Sequence, residues 1–108
     1  MLDTTPLITA VDRIADRLRS TPQSRLQRGV AAEALAAARE LSARAQRAEE
    51  PGAELRIMPD AGMFAVGDQF AVAGRDLAVA LETASSQELD EAVRCVDEAA
   101  ARVFATGP

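Results

Sequence analysis

The 108-residue chain has no histidine, lysine, asparagine, tryptophan or tyrosine, and a single cysteine. Without histidine it cannot build a Ser-His or Cys-His nucleophile pair, or the carboxylate-histidine di-iron centre that some helical bundles enclose. A lone cysteine, Cys95, rules out an internal disulfide and a cysteine-rich zinc site, and is expected to be a small residue at the edge of the core. An intermolecular disulfide through it would need an oxidising compartment. Three phenylalanines are the only aromatics, too few to fill a β-sandwich. Nothing approaches the ~18 uncharged apolar residues of a membrane span, and Asp3, Asp12 and Asp16 interrupt the first residues, where a secretion signal would be basic and then apolar. The expected location is therefore the cytoplasm.

The remaining routes to catalysis are equally thin. Glu49 with Glu50, and Asp90 with Glu91, are sequence neighbours that point to different faces of a helix, so they read as solvated charges rather than an acid-base pair. Gly67 and Gly74 are embedded in a helical pattern, unlike the closely spaced glycines of a phosphate loop, which follow a strand. With no nucleophile, metal cluster or phosphate loop to place, the chain is expected to be non-enzymatic and to carry no cofactor and no metal.

What is present is a helix-forming composition. Ala, Leu, Glu and Arg, all of high helix propensity, are abundant, and the length suits one small domain over residues 1–108 with its own core. An all-α fold follows. The most strongly patterned stretch is 63–81, in which Met63, Gly67, Phe70, Gly74, Leu77 and Leu81 recur in steps of four and three, along one face of a helix. Gly67-Asp68-Gln69-Phe70-Ala71 is echoed one heptad later by Gly74-Arg75-Asp76-Leu77-Ala78, a seam that should face a partner helix. Two interior glycines cost about 1 kcal/mol each against alanine. Close approach of another helix backbone, locked by Phe70 and Leu77, would offset that. The opposite face carries Asp68, Arg75 and Glu82 in one row and Gln69 and Asp76 in another, with Val72 and Val79 between them. The two valines read either as scattered surface apolar residues or as a contact to another subunit or helix, bordered by Arg75 and Asp76.

Thr5-Pro6 and Thr21-Pro22 each have the form of a helix start, with threonine as cap and proline in the first helical position. The first helix is expected over about 6–19 through Leu7, Val11, Ile14 and Leu18. The second is expected over about 22–48 through Leu26, Val30, Ala34, Ala37, Leu41 and Ala45, with Gly29 as its weak point. Glu49-Glu50-Pro51-Gly52 stops it, since acids oppose the negative end of the dipole and proline and glycine follow. In the 51–60 crossover Glu54-Leu55-Arg56-Ile57 alternates as a strand would, without a partner strand. It is expected to lie extended and drop Leu55, Ile57 and Met58 onto the bundle; a hairpin turning at Pro59-Asp60-Ala61-Gly62 is the alternative. Asp60 would cap a third helix over about 61–84. Ser85-Ser86-Gln87-Glu88 has the capping-box form and opens a fourth over about 86–104, ending before Gly107-Pro108. Leu89, Val93, Val96, Ala100 and Val103 form its seam, and Asp90 with Arg94 and Glu98 with Arg102 are favourable i,i+4 pairs. The expected architecture is a four-helix antiparallel bundle made of two helical hairpins joined by the extended crossover. The second helix would be about twice as long as the first, and its overhang is a candidate dimer contact.

The net charge of −5 is unevenly shared: residues 1–48 hold eight arginines against five acids, residues 49–108 four against twelve. The halves should attract each other, or the first should attract something acidic. Arg17, Arg19, Arg25 and Arg28 gather around the turn between the first two helices, beside a helix N-terminus that favours anions. They raise the reading of a DNA-associated regulator. Against nucleic acid stand the acidic total, the nearby Asp12 and Asp16, and the lack of aromatic, lysine or asparagine side chains for reading bases; salt bridges to the acidic half account for the same arginines. A pocket for an apolar ligand, lined by the Met and Gly residues of the third helix, is a further reading. The leading expectation is a helical-bundle interaction protein, self-associating or bound to a protein partner and not to a membrane, with Val72, Arg75, Asp76 and Val79 at the contact.

Overall fold

A computed structural model describes residues 1–105; the stop expected at Gly107-Pro108 lies outside them. The elements are α1 (Thr5–Arg19), a single turn α2 (Gln23–Arg25), α3 (Ala31–Glu49), α4 (Val66–Ala80) and α5 (Ser86–Phe104). No strand occurs among the described residues, and the four long helices pack as an all-α bundle.

In α1 the four-three rhythm lands Leu7, Val11, Ile14 and Leu18 in the core. Its first turn is closed by Asp3 rather than by Thr5, the carboxylate accepting the Thr5 N–H at 3.0 Å. Thr21 does not cap a second helix either. Its hydroxyl and that of Ser20 donate back to the Arg17 carbonyl at 2.7 and 3.1 Å, closing the end of α1. The helix expected over 22–48 is broken at Gly29, which takes φ +119°, a conformation that L side chains rarely adopt. A straight continuation would carry Leu26 beyond the end of the bundle into water. The turn through Leu26–Val30 instead brings the segment against α5 and buries both residues. α3 is left with the same 19 residues as α5, so the overhang expected of a longer helix is absent.

α4 starts at Val66 rather than near 61 because Asp60 spends its side chain on a turn, Oδ1 accepting the Gly62 N–H at 2.8 Å. α5 opens on the capping box: Ser85 Oγ accepts the Glu88 N–H at 3.2 Å, and the Glu88 carboxylate accepts the Ser85 N–H at 2.8 Å. Further along, Arg102 reaches across to Glu40 on α3, at 3.7 Å, instead of back to Glu98.

Neighbouring residues fix the helix directions. Gly67 lies beside Leu18 and Arg19 at the end of α1, and Gly74 beside Val11, so α1 and α4 are antiparallel. Ala31 and Leu35 share a groove with Met63 at one end, while Arg47 and Ala48 share one with Leu77 and Leu81 at the other; α3 and α4 therefore run the same way. The 19 residues of α5 run back along α3, with Glu88 near Arg47 and Arg102 near Glu40. α4 and α5 each pack on both α1 and α3. Parallel α3 and α4 require the connection between them to return the length of α3, which residues 50–65 do. The centre is filled by Phe70, Leu7, Leu41, Leu77, Val11, Val30, Val96 and Val103, all essentially inaccessible. Phe70, the largest, contributes about 2–3 kcal/mol by its burial.

Candidate interaction surface

One side of α4 is committed to the core. Phe70, Leu77 and Leu81 are buried with Gly67 and Gly74, and Met63 is half-buried just ahead of the helix. The glycines admit α1: a Cβ on Gly67 would meet Ala15 O at 3.3 Å, and one on Gly74 would lie 2.6 Å from Val11 Cγ2. That close approach leaves no room for an apolar ligand along the glycine seam. The groove beside Met63, about 410 Å³, opens instead toward Leu26, Ala31 and Leu35.

The other side of α4 faces outward. Val72 and Val79 are 58% and 61% exposed. Arg75 Nη2 donates to both carboxylate oxygens of Asp12, at 2.9 and 3.2 Å, and Asp76 is exposed. A groove of about 510 Å³ separates Asp12, Asp16 and Arg19 on the α1 side from Val72, Arg75 and Asp76 on the α4 side. The stripe therefore offers two apolar side chains in a charged frame.

Beside this stripe runs the extended segment. Gln46 of α3 grips Arg56 by its backbone, Nε2 donating to the carbonyl and Oε1 accepting the N–H, both at 2.8 Å. Arg39 Nε donates to the Met58 carbonyl at 2.8 Å, and Gln69 Nε2 of α4 to the Pro59 carbonyl at 2.8 Å. Met58 packs against the core. Leu55 and Ile57 do not drop onto it as expected: both are exposed, Ile57 at 80%, because alternation turns their side chains away from the face that Met58 uses. Phe64, 74% exposed, is a further apolar side chain in water. Asp76 lines both the groove holding Val72 and the one holding Ile57 and Pro59, which makes the two surfaces neighbours. The outward Ile57 and Phe64, and the grip of Gln46, Arg39 and Gln69, were not anticipated from the sequence. Only the 54–57 alternation hinted at them.

The arginines around the first turn are drawn into different contacts. Arg19 donates Nε and Nη2 to Asp68 at 3.0 and 2.8 Å and Nη1 to Asp16 at 3.1 Å. Hydrogen bonding to Asp68 is the main reason its guanidinium holds its proton more tightly than usual. The Arg17 guanidinium lies 3.9 Å over the Phe104 ring. Arg25 is half-buried, with Nε lacking a hydrogen-bond partner, and Arg28 is exposed. Two of the four are thus engaged within the chain, and the short, broken α2 supplies no sustained helix dipole for an anion. Cys95 sits buried where α5 meets α3, and desolvation is the main cause that pushes its thiol above its ordinary range. No cluster of three potential metal ligands occurs among the described residues. None of their helices is long and apolar enough to cross a membrane. No protein-family model matches the chain, and neither does a curated protein or a solved structure.

Proposed function

We propose that the chain is a non-catalytic, self-associating interaction module of the cytoplasm, and that the outward face of α4, Val72 and Val79 bordered by Arg75 and Asp76, is its contact. The supporting observation is two valines one heptad apart, each more than half exposed, on a helix whose opposite side is occupied by α1 and α3. Covering both valines would contribute about 1–2 kcal/mol apiece. The Arg75–Asp12 pair and Asp76 frame them with charge, which selects partners and orientation more than it adds affinity. A lone free thiol suits a reducing compartment.

Dilution of isotope-labelled protein tests this reading. The amide resonances of Val72, Arg75, Asp76 and Val79 should shift together with one concentration midpoint, while those of Leu41 and Val96, in the core, stay fixed. Spectra independent of concentration from millimolar to micromolar would refute it.

A further inference from the structure

The geometry points to a second contact: the free edge of the extended segment pairs with the same segment of a second copy, antiparallel about a two-fold axis through Leu55. This rests on the self-association reading and specifies how two copies register.

In extended chain the N–H and C=O of one residue point to the same side, and those of its neighbours to the other. Arg56 presents both groups to Gln46, and the Met58 carbonyl turns the same way toward Arg39. Leu55 and Ile57 therefore present theirs to the opposite side, and no backbone hydrogen bond among the described residues meets them. The Pro59 carbonyl, on that same side, is held by Gln69, so the segment is pinned at one end with its edge open. An open edge is a template for another strand.

Charge decides which strand. With Leu55 opposite Leu55, Glu54 stands opposite Arg56 of the second copy, and by symmetry Arg56 opposite Glu54. These are the non-hydrogen-bonded positions, where cross-strand side chains approach most closely. Ile57 then lies opposite Ala53, whose carbonyl is free to accept the Ile57 N–H while its own N–H stays bonded to the Glu50 carbonyl at 3.1 Å. Sliding the strands by two residues would set Arg56 against Arg56 in one direction and Glu54 against Glu54 in the other. Sliding by one would require the edge that Gln46 already holds. A single register thus combines the free backbone groups of Leu55 and the free Ile57 N–H with opposite charges at both flanking positions.

Charge reversal at the two exposed positions tests the pairing. Glu54→Arg and Arg56→Glu each place like charges opposite one another twice and should weaken dimerisation about tenfold in sedimentation equilibrium at low salt. The doubly reversed chain should return to within about twofold of the original, and an equimolar mixture of the two single variants should associate as a heterodimer. Unchanged thermal melts show that the variants remain folded, and Ile57→Pro, which removes an edge N–H, should abolish the contact. A dimer indifferent to all of these, or single-variant losses recovered by neither the double reversal nor the mixture, overturns the strand pairing while leaving self-association through α4 intact. An unsubstituted chain that stays monomeric at every concentration overturns both.

Discussion

A methyl group at Gly74 would sit 2.6 Å from Val11 Cγ2, and Val11 is wholly buried. Alanine gains about 1 kcal/mol over glycine inside a helix, but overpacking a filled core costs about 1–3 kcal/mol, and the second effect wins. Gly74→Ala should lower stability by about 1–2 kcal/mol in chemical denaturation, and adding Val11→Ala should recover part of the loss; a single variant as stable as the original would mean that α1 and α4 lie further apart. Both glycines and the residues between them are legible in the sequence, because packing at that spacing leaves a periodic mark. Cys95 is 6% exposed, and desolvation is the leading cause raising its pKa from 9.0. The unfolded chain therefore releases that proton first, so stability should fall as pH rises past about 9. Since the thiolate is the reactive form, labelling of the native protein at pH 8 should be at least roughly tenfold slower than in urea, and equal rates would place the thiol in water.

Among the elements, the break between α2 and α3 is the feature that the sequence marked least. Gly29 stood out as a weak point, but one glycine does not end a helix; the turn is chosen because it folds Leu26 over the end of the bundle, a tertiary preference without local trace. Replacing it should reveal the constraint. Gly29→Ala, forced to hold φ +119°, should cost about 1–2 kcal/mol, read as a lowered denaturation midpoint at unchanged slope; a neutral result would mean that the helix runs on through this point. The same logic separates the two caps. Ser85 and Glu88 bond reciprocally as their spacing predicts, whereas Thr21 serves the helix before it, since the nearest unsatisfied group there was the Arg17 carbonyl and not an amide ahead. Residues 54–58 leave even less local trace: they are held by side chains of Gln46 and Arg39, which in helical periodicity look like ordinary solvated positions.

At the scale of the molecule, the all-α class and the four long helices followed from composition and period. Which helices touch did not, because amphipathic stripes record that a face is buried and not what covers it. The parallel course of α3 and α4 is a consequence of the extended connection returning the length of the bundle, and that return is also what lays an open strand edge beside the outward valines of α4. Charge distribution was informative in part: Arg19 with Asp68 joins an arginine of the basic half to an acid of the other, as the opposite balance suggested, whereas Arg75 with Asp12 runs the other way. The central claim is that this assembled surface exists to meet a second copy. Light scattering over a micromolar concentration series tests it most directly: the account predicts a mass rising toward twice the 11.4 kDa of one chain and returning to one chain in Val72→Glu/Val79→Glu with the thermal melt unchanged, whereas a single-chain mass throughout, or a dimer unaffected by both substitutions, would contradict it.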